Sequence, residues 1–168
     1  MLRENFLRGM RLAATGVAVV TTKTPEGRFG VTVSAVCSLS ADPPSILVCV
    51  HHMSRVAEAI RRSGCFCANL LSEDQRALSE IFAGRAAAGT AVSADDRFAA
   101  GEWMPLVTGA PSLVGALAAF DCTLVKELRW ASHHVLIGEV ADVELGEGRP
   151  LVYCDRNYGR VDLGGMLA

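Results

Sequence analysis

No two cysteines of this chain are spaced C-x-x-C, so the spacing fits neither a zinc ribbon nor a thioredoxin-type pair. No G-x-S-x-G occurs, which removes the serine nucleophile elbow. A Walker A sequence is missing, and no G-x-G-x-x-G follows a strand pattern. A P-loop and a Rossmann dinucleotide site are therefore unsupported, and any nicotinamide cofactor must bind in another way. There is no basic block either. The formal net charge is -2, and nucleic-acid binding would need a clustered basic face. The first residues, MLRENFLRGMRL, mix charges with apolar side chains at helical spacing, with no apolar h-region or cleavage site after them. They read as neither a signal peptide nor a membrane span, so the expected compartment is the cytoplasm and no membrane partner is expected.

What is present is a chain of 168 residues, 51% hydrophobic and 20% charged. Those proportions predict a folded chain, and the length predicts one domain over residues 1–168 with a proper core. The six cysteines are Cys37, Cys49, Cys65, Cys67, Cys122 and Cys154. In a reducing compartment most are expected to be small buried apolar side chains.

Residues 3–14 read as an amphipathic helix, with Phe6, Leu7, Met10 and Ala14 on one side and a break at Gly16. Residues 17–24 read as a strand and Pro25-Glu26-Gly27 as its turn. One continuous strand is expected over 30–40, followed by a break at Asp42-Pro43-Pro44 and a buried strand over 45–51. Ser54 caps a helix over 55–63 that Gly64 ends. A strand over 65–71 follows, then a capping box at Ser72 and Gln75 that opens a helix to Phe82. Residues 83–112 are rich in glycine and proline and read as irregular, which inside a compact domain points to function. Strands are expected over 113–128, 133–145 and 150–154. Six or seven strands that do not alternate with helices predict a mainly β domain, an antiparallel Greek-key barrel with helical inserts.

Two local features bear on chemistry. In the strand over 30–40, Thr32, Ser34, Ser38 and Ser40 fall on one face. Short hydroxyls let a ligand approach the backbone and offer donors to phosphate or sugar; an ordinary exposed Ser/Thr face fits the spacing equally well. The second feature is His51-His52-Met53-Ser54-Arg55. A helix start presents free N–H groups and positive dipole to an anion, although plain capping explains the same residues. The four histidines form two tandem pairs, His51-His52 and His133-His134. Neighbours on a strand face opposite sides, so a metal would require the pairs to meet in space beside a carboxylate. A single histidine against a ligand ring is the better functional expectation.

Nine motifs occur in one order: ATGVAVVTT (14–22), GVTVSAVCSLSADPPSILVCV (30–50), SR (54–55), FCANLLSEDQ (66–75), FAGR (82–85), DRF (96–98), GAP-x-L (109–113), SHHVLIGEV (132–140) and YGR (158–160). In these the chain resembles the flavin reductase-like family of FMN-binding split barrels, which includes the reductase components of two-component monooxygenases. The resemblance runs from Phe6 to Arg160. It implies a split-barrel homodimer with flavin near the interface. By this resemblance Thr32, Val33, Ser34, Ala35 and Ser38 line the flavin, and Cys49 and Val50 lie beside its ring system. Ser54 and Arg55 are implied at its phosphate end, and Phe82, Gly84 and Arg85 in a loop closing over it. His133, Tyr158 and Arg160 are implied at the nicotinamide site, with His134 facing outward. Ala131 and Ser132 depart from the Gly and Asp or Thr frequent before that histidine.

The implied activity is NAD(P)H-dependent reduction of FAD or FMN, by hydride transfer from nicotinamide to flavin N5, for a partner monooxygenase. The cofactor carries that chemistry and the protein positions it. Two other readings stand beside it: a self-contained flavoprotein that keeps its flavin, and a flavin-binding protein without turnover.

Overall fold

A computed structural model describes residues 1–84 and 97–162. In chain order the elements are α1 (Leu2–Arg11), β1 (Thr15–Gly16), β2 (Ala18–Thr24), β3 (Gly27–Val33), β4 (Val36–Ala41), β5 (Pro44–His51), α2 (Arg55–Ser63) and β6 (Cys65–Leu70). A 3-10 turn, Glu73–Gln75, leads into α3 (Arg76–Phe82). Then come β7 (Trp103–Pro105), β8 (Pro111–Leu113), β9 (Ala118–Trp130), β10 (His133–Leu145), β11 (Leu151–Cys154) and β12 (Asn157–Arg160).

Seven strands pair antiparallel in the order β3-β2-β6-β9-β10-β5-β4. The outer two, β3 and β4, are consecutive in the chain and only Ser34 and Ala35 separate them. Laid flat, seven strands would hold their edges about 29 Å apart. A two-residue link reaches about 10 Å, so the sheet has to curl until its edges meet. At the seam Ala35 O accepts from Cys49 N at 3.0 Å, which brings the link against β5.

Alternation sorts the apolar side chains onto the two faces of this sheet. Val20, Phe66, Ala68, Cys122 and Leu136 pack with Val56, Ala57 and Ile60 of α2. Val19, Cys67 and Ala119 pack on the other face with Leu78, Phe82, Phe98 and Leu113. Each large side chain fully buried this way contributes about 1.5–3 kcal/mol. Helix α2 starts where the Ser54 hydroxyl accepts from Val56 N (3.3 Å) and stops at Gly64, whose φ of 73° lies in the left-handed region. Buried Asn69 ties the two layers by donating to Val19 O and accepting from Leu113 N.

The mainly β antiparallel barrel is as expected, and several local expectations are corrected. The strand read over 30–40 is two strands on opposite edges of the sheet, because the barrel closes within it. Only Cys67 and Cys122 of the six free cysteines are buried; Cys37 is exposed and the rest are intermediate. The first helix ends at Arg11, and Gly16 lies in a short strand paired with β11. Within the stretch read as irregular, β7 and β8 form a hairpin. The strand β12 was not expected. Its turn is Asp155-Arg156, both at positive φ (46° and 66°), without the glycine that normally signals such a turn.

Candidate functional site

The barrel seam is also a cleft. About 300 Å³ is enclosed by Val31, Thr32, Val33, Ser34, Ala35, Cys49, Val50, His51, Ser54 and His133. The link leaves the pairing of both neighbouring strands, so Ser34 and Ala35 N–H have no partner among the described residues. The Ser34 hydroxyl is also unpartnered there, whereas Thr32 donates to Ser79 O of α3 at 2.7 Å. Partial burial pushes the Cys49 thiol up from its ordinary value, so it sits in the cleft as a neutral, weakly polar group.

A second cleft of about 250 Å³ is lined by Phe29, Gly30, Met53, Ser54, Arg55, Val56 and Arg97. It opens at the amino end of α2, and none of these residues is acidic. Arg97 Nε is buried without a hydrogen-bond partner among the described residues. Gly84 lies beside Arg97; a Cβ there would stand 3.6 Å from the guanidinium. Ser54 belongs to both clefts. A neutral slot with free amides thus runs into a cationic end, which is the donor set that a planar ring carrying a phosphorylated side chain requires.

The two histidine pairs meet. His51 and His133 are cross-strand neighbours on β5 and β10. Their rings stand edge to face, 5.1 Å apart at 89°. The His52 ring is 4.7 Å from that of His51. The described residues nevertheless contain no group of three or more side chains arranged to hold a metal ion. His134 is the less exposed member of its pair and reaches Glu127 (Nδ1 to Oε1, 2.5 Å), rather than facing freely outward. His133 is the exposed one at the cleft, with Nδ1 3.0 Å from Ser132 Oγ. The turn before it carries Ala131 at φ 48°, a conformation glycine adopts without cost.

The structure therefore brings Thr32, Val33, Ser34, Ala35, Cys49, Val50, Ser54 and His133 together, with Arg55 adjoining through the second cleft. Ser38 lies apart, in a 510 Å³ groove with Val36, Ile46, Phe120 and Val140. Phe82 is fully buried among Phe98 and Trp103 beneath Gly30, not open to a ligand. Tyr158 and Tyr153 line a smaller cleft with Thr32, Val33 and Ser34. Tyr158 OH lies 2.8 Å from Ser79 Oγ. Within one chain it therefore adjoins the same segment as His133 but through a separate cleft. Arg160 ends β12 exposed, opposite Leu151. Arg85 lies outside the described residues. Sequence reasoning singled out neither His51 as a wall of the cleft nor Arg97. The signal for His51 was its place at the end of a buried strand, directly before a capped helix.

With this geometry in view, comparison with known proteins identifies the class. Residues 10–162 match the flavin reductase like domain, and the chain belongs to that family. Among individual proteins, it is 42% identical over 160 residues to the FMN reductase (NADH) RutF of Ancylobacter novellus, covering 95% of this chain and 85% of that one. It is 36% identical to the RutF of Variovorax paradoxus, over 95% and 86% of the two chains. The styrene monooxygenase flavin reductase of Pseudomonas putida S12 superposes with a TM-score of 0.80 at 30% identity, covering 95% of this chain and 98% of that one. BorF, the flavin reductase component of a bacterial two-component tryptophan halogenase, superposes at 0.83 with 30% identity, over 94% and 98%. No helix among the described residues is long and apolar enough to cross a membrane.

Proposed function

We propose that this chain is an NADH-dependent flavin reductase that binds FMN or FAD as a substrate, reduces it, and releases it to a separate flavin-dependent monooxygenase. The observation that carries this reading is the junction at Ser54, where the neutral seam cleft meets the cationic cleft at the start of α2. Relatives named FMN reductase (NADH) favour FMN and NADH over FAD and NADPH.

A bound flavin supplies the hydride-accepting chemistry at N5. The chain contributes position and electrostatics. Thr32 to Ala35 line the ring slot, and the amides of Ser34 and Ala35, unpaired among the described residues, would supply donors to the edge of a bound flavin ring. Cys49 and Val50 line the same slot beside Ala35 as neutral groups. Ser54, Arg55 and Arg97 hold the phosphate, with Gly84, at φ 77°, turning the chain beside Arg97. His133, tied by Nδ1 to Ser132, orients the nicotinamide at the outer end. Tyr158 supports the Thr32–Ser34 wall through Ser79, which each of Tyr158 and Thr32 contacts; Arg160 adjoins it at the end of β12.

The functional unit is a homodimer in this reading. Helix α1 buries none of its residues, leaving Phe6 61% and Met10 55% exposed, and Val143, which lines the 510 Å³ groove, is 42% exposed. A second copy covers such surfaces, and sedimentation at micromolar concentration tests it.

The deciding experiment measures NADH and NADPH oxidation with FMN, with FAD and without added flavin. Rapid oxidation only with added flavin, and reduced flavin recovered in the filtrate, is the expected result. Flavin retained through dialysis and never released would instead mark a self-contained flavoprotein, and binding without oxidation a non-catalytic carrier.

A further inference from the structure

The cluster of His51, His52 and His133 constrains one of its members more than the others. His51 Nδ1 accepts the backbone N–H of Met53 at 3.2 Å. An acceptor nitrogen carries no proton, so the neutral ring bears its hydrogen on Nε2. His52 is the reverse case: its Nδ1 lies 2.9 Å from the carbonyl oxygen of Ser132, which requires a proton on Nδ1. Protonating His51 would set a ring N–H against the Met53 N–H and place a cation beside His52 and His133. Partial desolvation, then those two imidazoles, hold His51 below its ordinary pKa. Cys49, which lines the cleft together with His51 and His133, is a neutral thiol. Thus His51 presents a fixed Nε2–H, while the edge-to-face contact with His133 sets the two rings perpendicular at the same cleft.

We propose that His51 is a second nicotinamide-positioning residue, donating from Nε2 to the carboxamide oxygen of NADH while its ring edge fixes the orientation of His133. The inference rests on the reading of the cleft as a flavin and nicotinamide site. It assigns His51 a partner atom that neither the strand pattern nor the family resemblance supplied. A donor held on Nε2 by the Met53 N–H suits a carbonyl acceptor and does not suit an amide N–H, so the interaction also selects the orientation of the carboxamide.

The test pairs substitutions at His51 with two reductants, NADH and thio-NADH, whose thiocarbonyl sulfur is a weaker acceptor. Initial rates are taken with FMN, and FMN affinity is followed separately by fluorescence quenching. The wild type is expected to show a KM for thio-NADH about fivefold above that for NADH, the size of one ordinary hydrogen bond. His51→Leu is expected to raise the KM for NADH about fivefold. In that variant the preference for NADH over thio-NADH should fall below about twofold, with kcat changing less than KM. His51→Gln, which keeps an N–H donor, should recover most of the discrimination. FMN affinity should stay within about twofold in both variants. An unchanged KM for NADH in His51→Leu overturns the proposal, and so does an equal rise for both reductants, because lost packing does not distinguish oxygen from sulfur. Should the wild type oxidise no NADH with any flavin, the functional reading itself fails, a result separate from either of these.

Discussion

Gly30→Ala tests whether the site-bearing strand is fixed by the packing beneath it. A Cβ built on Gly30 would lie 2.5 Å from Phe82 Cε1, 2.8 Å from Phe82 Cδ1 and 3.2 Å from Phe98 Cζ. The first two separations are below any tolerable contact, so Phe82 or β3 must move. Phe82 has no free direction: it is fully buried and boxed by Phe98 at 5.1 Å and Trp103 at 5.3 Å between ring centroids. Overpacking of this kind costs about 1–3 kcal/mol. The backbone at Gly30 is not in the left-handed region, so Ala also restricts the unfolded chain and returns about 0.4–1 kcal/mol. Taking the middle of each range, about 2 less about 0.7, the net expectation is a loss of about 1.3 kcal/mol, or about 3–5 °C in Tm for a domain of this size. Calorimetry measures it directly. Because the strain is localised on one ring, Gly30→Ala with Phe82→Leu should lose less than the two single changes added together. A Tm for Gly30→Ala equal to or above wild type would refute the packing account. So would strict additivity in the double variant.

Gly138→Ala should behave alike, since its Cβ would meet Phe66 Cζ at 2.5 Å and Cys122 Cβ at 2.7 Å; thermal unfolding is expected to drop by several degrees, about 2–8 °C. Ala131→Gly should raise Tm slightly, because Ala131 holds φ 48° in the β9–β10 turn at a cost of about 1–2 kcal/mol. Arg97→Ala should weaken FMN binding about tenfold and riboflavin binding little, measured by fluorescence quenching; equal losses for both flavins would remove Arg97 from the phosphate end. Burial pushes the Cys122 thiol up to about 12 and Cys67 higher still. The unfolded chain loses these protons near pH 9 while the folded one keeps them, so stability is full below about pH 9 and falls as pH rises towards 12. A urea midpoint that does not fall between pH 8.5 and 10.5, or that falls as steeply in Cys67→Ala/Cys122→Ala, would contradict this.

The elements that were legible in the sequence are those fixed by local chemistry. Ser54 and Gly64 bracket α2, and the β-branched run of β2 and the apolar run of β5 declare strands. The errors arise where tertiary pairing overrides a local pattern. Residues 30–40 alternate cleanly, yet the barrel seam divides them, so Thr32 and Ser38 occupy different clefts. The turn at Asp155-Arg156 hides β12 because its positive φ values are not written as glycine. Phe82 carries a family motif, but its place under Gly30 is a packing constraint that only the folded sheet reveals. Arg97 sits within the irregular stretch and joins Arg55 only through the fold.

The seam itself explains why the site lies where it does. An antiparallel sheet satisfies nearly all its backbone donors internally, and an unpaired buried amide is costly. Here the chain leaves β3 on one edge and joins β4 on the other within two residues. Those two residues can pair with neither neighbour completely: Ala35 keeps one bond, to Cys49, and among the described residues neither N–H group has a partner. Closing the barrel thus necessarily exposes donors at one point. The helix that follows β5 starts close by at Ser54, with the positive end of its dipole and Arg55 at the second cleft. In the proposed reading, a ligand with a polar ring edge and an anionic tail would meet both sets at once, with Arg55 and Arg97 adding charge at the tail. That is how a fold without a glycine-rich phosphate loop can still bind a phosphorylated ring.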